Sequence, residues 1–326
     1  MTLTDWATRY TNGEQDENVI IEILNETNEI FNFWPSMEAN SATGHTHTVR
    51  TGIPEPTWRN MYQGVMPTKS ETAKVTDTIG NLEAYSEPDK DEADLNGNTA
   101  KFRMDEAVAH IEGMGQSMAE TIFYGNTNIN PERFMGLAPR YNTGDTAAAN
   151  NAVNVIDGGG TGSNNTSIWL ISPGDRSVCG IYPKGSSAGL SRTDKGQVTV
   201  QNSDGSRYEA YQDHFKWQNG LALKDWRSVV RICNIDVTAL TRDASGGADL
   251  FELIAIALER IDKLGNGAFL ACNRTVREYL RTHRLNQTNV RFGQMEAGGS
   301  TVTSIDETPL IRCDAILNTE AAVTGF

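Results

Sequence analysis

Residues 220–236 read GLALKDWRSVVRICNID, a strand-rich stretch. They close a block, 166–237, of short apolar or alternating stretches (SIWLISPGDRSVCGIYP, QVTVQN, SRYEAYQDHFKW) separated by Gly, Asp and Ser. Punctuation of this kind predicts a multi-strand antiparallel sheet. After the block the period changes. Asp249 is a helix N-cap, and Leu250, Leu253, Ile254, Ala257, Leu258, Ile261 and Leu264 form a helical stripe closed by Gly265. A buried-strand candidate follows at 268–272, then a second helix from Asn273 to about Arg284, then a hairpin with arms TVTSI and PLIRCDAIL.

Upstream of the block, residues 142–165 are rich in Asn, Ala, Gly and Thr and read as a long loop. Before them lies the strongest helix of the first half, 103–124. Met104, Ala107, Val108, Ile111, Met114, Met118, Ile122 and Phe123 share one face, and Gly125-Asn126 supplies the stop. Residues 41–81 are Thr-rich and β-favouring, two extended arms around the polar turn PTKSE, and read as a long hairpin. Its apolar residues (Val49, Ile53, Trp58, Met61, Tyr62, Val65, Val75 and Ile79) are too few for a core, so the hairpin is expected to lie on another surface. Residues 14–33 carry Ile20, Ile23, Leu24, Ile30 and Phe31 at helical spacing, ended by Trp34-Pro35, which predicts a narrow amphipathic helix that packs on a neighbour.

Composition sets bounds on function. The 326 residues suit one large or two modest domains, and 38 % apolar content with a mean hydropathy of −0.45 indicates a soluble chain. No run approaches the roughly 20 apolar residues of a membrane span, and the first ten residues lack the pattern of a signal peptide. Cys179, Cys233, Cys272 and Cys313 are far apart and read as buried free thiols of a reducing cytoplasm, with a zinc site the remote alternative. Net charge is −14, and residues 1–100 hold most of it, with 17 acidic against 6 basic residues. An acidic surface repels phosphate, which argues against a sequence-reading DNA binder; weak repulsion would also suit a container wall that must not stick to DNA, but acidity is common in soluble proteins and that plain reading is preferred.

Motifs for chemistry are weak throughout. GGGTG at 158–162 lacks the Gly-Lys-Ser/Thr of a phosphate loop, and no Ser sits in a nucleophile elbow. His45 and His47 fall on one strand face, half of a metal site with no nameable third ligand, and chance pairing in Thr-rich sequence is the plainer reading. His110 reads as a polar or surface histidine. Asp89, Asp91, Glu92 and Asp94 lack calcium-loop spacing and read as a solvated face. Arg274, Arg277, Arg281, Arg284 and Arg291 are the one basic concentration, read as interface ion pairs or a contact with a neighbouring subunit's acidic arm. No catalytic residue, cofactor site or metal site is expected.

Several linked segments carry a resemblance. HTHTVRTGIPEPTWRNMYQGV, LEAYSEPDKDEADLNGN, MAETIFYGN, FMGLAPRYN, GIYPKG and GLALKDWRSVVRICNID are similar to major capsid proteins of short-tailed, epsilon-fifteen-like phages, which have the Hong Kong 97-like fold. The resemblance implies an α+β chain with an N-terminal arm at 1–40 and an extension loop with its connection at 41–102. It also implies a peripheral domain at 103–247, made of the spine helix 103–124 and the sheet 166–237, and an axial domain at 248–326. Its hairpin turn at Glu307-Thr308-Pro309 resembles the Gly-x-Pro turn usual in the fold. In the prototype the last strands of the peripheral sheet follow the axial hairpin. Here the block ending at 237 precedes it, so a permuted chain order is expected.

The function implied is a non-enzymatic shell protein forming hexamers and pentamers of an icosahedral head. Its copies would be assembled in the host cytoplasm and end up in the virion. Implied partners are other copies of the chain, a portal protein, optional scaffold and decoration proteins, and double-stranded DNA contacted without sequence preference, with no membrane. Expected intersubunit contacts are Trp58, Tyr62, Lys69, Glu71, Arg277, Arg281 and Arg284. An encapsulin-like compartment shares the fold and is the first rival. A soluble carbohydrate-processing enzyme, which would need a carboxylate pair in the sheet region, is the second.

Overall fold

The computed structural model describes residues 29–95, 99–241, 247–261, 267–286, 292–297, 300–305 and 308–326. Two sheets and one long helix organise them. The first half contributes β1 (Ser36–Glu38), β2 (Gly44–Gly52), β3 (Glu71–Ser86), the short α1 (Lys90–Leu95) and the long α2 (Thr99–Tyr124). Then come β4 (Val155–Asp157), β5 (Asn165–Ile171), β6 (Val178–Tyr182), β7 (Leu190–Gln201), β8 (Arg207–Leu223) and β9 (Val229–Asp236). The last part supplies α3 (Leu250–Arg260), β10 (Phe269–Cys272), α4 (Arg274–Asn286), β11 (Phe292–Ala297), β12 (Ser300–Ile305) and β13 (Thr308–Arg312).

One sheet is built around β8. Its order is β1-β6-β8-β3-β2, with β7 also paired to β8. Apolar residues alternate along β8, so that Ala210, Phe215 and Trp217 are buried between more open neighbours, the pattern of a sheet covered on one face. The cover is α2, whose Ala107, Ile111, Met114, Met118, Ile122 and Phe123 join Phe215 and Trp217 in one core. Asp213 of β8 is fully buried, and two guanidinium groups hold its carboxylate: Arg103 of α2 donates at 2.9 Å and Arg192 of β7 at 3.0 Å. A buried charge needs such partners, because an unpaired one costs several kcal/mol.

The other sheet has the order β11-β12-β13-β10-β5-β9-β4. It is covered on both faces. Trp169, Ile171, Val229, Phe269 and Ala271 face the core shared with α2, while Ile168, Leu170, Val230, Ile232 and Leu270 face a second core. There Leu250, Ile254 and Ala257 of α3 meet Val276 and Leu280 of α4. The helices start as their caps dictate: the Asp249 carboxylate accepts from the Phe251 and Glu252 amides, and Asn273 accepts from the Val276 amide at 2.9 Å.

These positions correct several expectations. Residues 166–237 do not make one sheet beside the long helix, because β6, β7 and β8 join α2 whereas β4, β5 and β9 enter the sheet that carries α3 and α4. The segment 220–236 therefore divides at its polar centre. Residues 220–223 end β8, a short 3₁₀ turn follows at Trp226–Ser228 with Asp225 accepting from the Arg227 amide, and β9 departs into the other sheet. The ground for a permuted chain order, that Val229 and Val230 finish the sheet beside α2, is removed. The physical reason is burial: an unbroken apolar run needs cover on both faces, which only the seven-stranded sheet offers.

Smaller differences follow the same logic. The long helix begins at Thr99, and Val108 turns partly to solvent instead of joining the buried face. Of the helix expected at 14–33, residues 29–33 form a 3₁₀ turn, and the rest lies outside the described residues. That turn is no loose arm. Ile30 is fully buried, Phe31 packs on Trp217 and Phe33 on Phe269, each tilted with centroids 5.2 and 5.6 Å apart. β12 and β13 pair as the expected C-terminal hairpin, with Ile305 opposite Thr308, while residues 306–307 of its turn lie outside the described residues, as do Leu264, Gly265 and Arg291. All four cysteines are free and buried, and burial pushes the Cys179 thiol up to about 11 and the other three up to about 12.

Candidate assembly interface

The hairpin predicted at 41–81 is where the molecule projects. β2 and β3 pair from Gly44↔Thr78 to Gly52↔Glu71, with an irregularity between Arg50 and Gly52. β3 then continues into the sheet along β8, from Ile79↔Gly220 to Ser86↔Asp213. The projecting part is therefore a direct extension of the sheet beside α2. The open edge of β2 is partly capped, because the Asn40 side chain accepts from the Thr46 amide at 2.9 Å and donates to its carbonyl at 2.6 Å. Such a cap mimics a neighbouring strand and blunts an edge that would otherwise invite pairing.

Between the two strands, residues 53–70 leave the ladder, and every one of them is exposed. Trp58 is 99 % exposed and Tyr62 103 %, and Ile53, Met61 and Met66 stand open beside them. A tight turn shapes the tip: the Gln63 amide donates to the Asn60 carbonyl at 3.2 Å, and Tyr62 adopts a left-handed φ of 65°. A bulky residue there costs about 1–3 kcal/mol, so the turn holds the ring outward against a backbone preference. An aromatic side chain in water forgoes roughly 1.5–3 kcal/mol of burial. So many adjacent apolar groups without cover make this segment a candidate docking surface.

The expected contact residues fall in two places. Trp58, Tyr62 and Lys69 lie in the projecting segment and Glu71 opens β3, so the first four share one hairpin. Arg277 and Arg281 lie on α4, which packs against the other sheet. Arg277 is only 17 % exposed and faces Glu29 of its own chain at 3.5 Å, which spends its charge within the chain. Arg281 stays exposed, and Arg284 lies in α4 with its side chain outside the described ones. Arg274, the first residue of α4, and Arg312 converge on Asp314, whose carboxyl is held below the usual range chiefly by the hydrogen bond from Arg312. These groups line a groove of about 860 Å³ with Glu29, Glu112 and Glu120, a mixed-charge surface.

Two polar clusters were not anticipated from the sequence. Buried Asp77, in β3, accepts from Arg140 at 2.7 Å and from the Leu223 amide at 3.3 Å, at the root of the hairpin beside His45 and His47. Glu320 accepts from Arg231 of β9 at 2.9 Å and also from Ser167 of β5 and Tyr124 of α2. Arg231 in turn lies over the Trp169 ring, 5.1 Å from its centroid, and donates to the Tyr141 carbonyl at 2.7 Å. A lone Asp in an otherwise exposed Thr-rich strand and a lone Arg in an apolar run were the available signals. Neither names its partner. Among the described residues no three His, Cys, Asp or Glu side chains converge as a metal site would require.

Comparison with known proteins agrees with this architecture. A family model described as the major capsid protein GP7 matches residues 12–324. A chain of the bacteriophage Epsilon15 structure is 37 % identical and superposes with a TM-score of 0.70, covering 90 % of this chain and 88 % of that one. The bacteriophage JBD30 capsid matches at 11 % identity and a TM-score of 0.48, covering 86 % and 88 % of the two chains. The SrpI encapsulin of Synechococcus elongatus matches at 11 % and 0.43, covering 65 % and 89 %. A search of curated protein sequences gave no match. A hairpin that exposes its apolar groups, a family match over nearly the whole chain and the 37 % identity to Epsilon15 lead to one conclusion: the chain belongs to the GP7 family of phage major capsid proteins and is a structural component of a capsid shell.

Proposed function

We propose that this chain is the repeating, non-enzymatic unit of an icosahedral head, assembled in the host cytoplasm as hexamers and pentamers that enclose double-stranded DNA. The observation that carries the reading is the projecting segment 53–70, whose Trp58, Met61 and Tyr62 are solvated in the single chain. A neighbouring copy supplies the cover they lack, and shell stability is then inseparable from assembly. In this reading residues 41–86 act as the extension loop, α2 with the six-stranded sheet as the peripheral part, and the seven-stranded sheet with α3 and α4 as the axial part. A portal protein, scaffold and decoration proteins belong to the same reading, and the net charge of −14 keeps contacts with packaged DNA weak and non-specific.

Because Gly52 and Glu71 are opposite each other, the segment between them can be replaced by a two-residue Asn-Gly turn without disturbing the root. The shortened protein is expected to remain folded by circular dichroism and to give no closed particles in electron micrographs, where the full chain does. Closed shells of normal size from the shortened chain would sink the proposal.

A further inference from the structure

At the root of the hairpin, His45 and His47 stack on the same face of β2 with ring centroids 6.0 Å apart. His45 is 9 % exposed, and its Nδ1 and both nitrogens of His47 are buried without a hydrogen-bond partner. That is a costly arrangement for a neutral pair, and a worse one for a charged pair. From β3, Asp77 is the sole carboxylate facing them, with Oδ2 3.7 Å from His47 Nδ1. Its charge is already held by Arg140 from the turn after α2 and by the Leu223 amide. From the end of β8 comes Lys224, whose Nζ donates to the Asp175 carbonyl at 2.7 Å and sits 3.0 Å from Met37 Sδ. From β6 comes Cys179, a neutral thiol. One fixed cation, Lys224, and one carboxylate, Asp77, already shared with Arg140, thus act on the His45 ring before it takes a proton.

We propose that the stacked pair His45–His47 makes the root of the projecting hairpin an acid-sensitive hinge, in which protonation parts β2 from the Asp77–Arg140 pair and frees the hairpin's set direction. Burial, then Lys224 and His47, hold the His45 imidazole below its ordinary value of 6.5, against a smaller opposite pull from Asp77. A base depressed in this way binds fewer protons folded than unfolded. Stability of the root is therefore complete above the unfolded value and declines as pH falls below about 6.5. The exposed tip carries no histidine, so acid acts on the aim of the hairpin and leaves its contact groups unchanged.

Hydrogen exchange of the unassembled protein tests this without depending on shell formation. After correction for intrinsic rates, amides at 45–49 and 73–78 should exchange faster at about pH 5 than at about pH 7.5 by on the order of tenfold. The His45→Gln/His47→Gln protein should show equal protection at both pH values, and His214→Gln should behave as the unaltered chain. Constant protection in the unaltered protein, or the same loss in the double variant, overturns the hinge. Should the double variant fail to fold, the imidazole C2 exchange of His45 in the unaltered protein decides. A titration midpoint at or above 6.5 refutes the proposal.

Discussion

The seven-stranded sheet and the projecting hairpin treat apolar side chains in opposite ways. In β5, β9 and β10 nearly every residue is buried by the chain itself, and Trp169, Ile171, Val230 and Leu270 are fully enclosed. In segment 53–70 no residue is buried at all, although Trp58, Met61 and Tyr62 are as apolar as many core residues. The contrast separates two sources of stability. One is complete when a single chain has folded, and in the proposed assembly the other comes into being only when a second chain arrives.

Substitutions can break this contrast if it is wrong. The largest effect belongs to Glu320→Ala, which leaves the buried Arg231 guanidinium without its carboxylate and removes the acceptor for Tyr124 and Ser167. Loss of one partner of a buried pair costs about 3–5 kcal/mol. Urea unfolding of unassembled protein should show it, and a change within error would mean that the C-terminal segment contributes little to the core. Next comes Leu270→Ala at the centre of the seven-stranded sheet, expected to cost about 2–5 kcal/mol in the same measurement.

Trp58→Ala should change unfolding of the single chain least, within about 0.5 kcal/mol for a surface site. The same substitution should lower the denaturant concentration at which assembled shells come apart, followed by light scattering. Equal loss in both assays would place Trp58 in an ordinary core and dissolve the distinction between the two regions.

Much of this was legible in the sequence, and the failures have physical causes. The helical stripe of 250–261, with its Asp249 cap, could be read because cap and period are local properties. The exposed hairpin could be read because Thr-rich arms with few apolar residues cannot fill a core. The allocation of β9 was misread, although the signal was present: VVRIC is apolar without alternation, and only a sheet covered on both faces accommodates that. Residues 30–33 were taken for an arm because a short apolar cluster looks alike on an amphipathic helix and in a 3₁₀ plug that enters a core. The pairing of Asp77 with Arg140, 63 residues apart, and of Arg231 with Glu320, 89 apart, left no trace in local pattern. Polar clusters of that kind are assembled by topology, which a single sequence does not display. The ion pair of Arg277 with Glu29, which approaches from the far end of the chain, was hidden from local pattern in the same way.

Glu320 has a consequence in time as well as in energy. It anchors a segment that crosses back to β5 and β9, with the Glu320 amide donating to the Asn165 carbonyl at 2.9 Å and the Val323 amide to Asn234 Oδ1 at 2.7 Å. At ribosomal speeds of about 5–20 residues per second, the strands carrying Ser167 and Arg231 leave the ribosome several seconds before the carboxylate that completes them. Until translation has passed residue 320, the nascent chain holds an unneutralised guanidinium in what will become its interior. Such a chain cannot settle its seven-stranded sheet before residue 320 is available, even though its hairpin has long been outside.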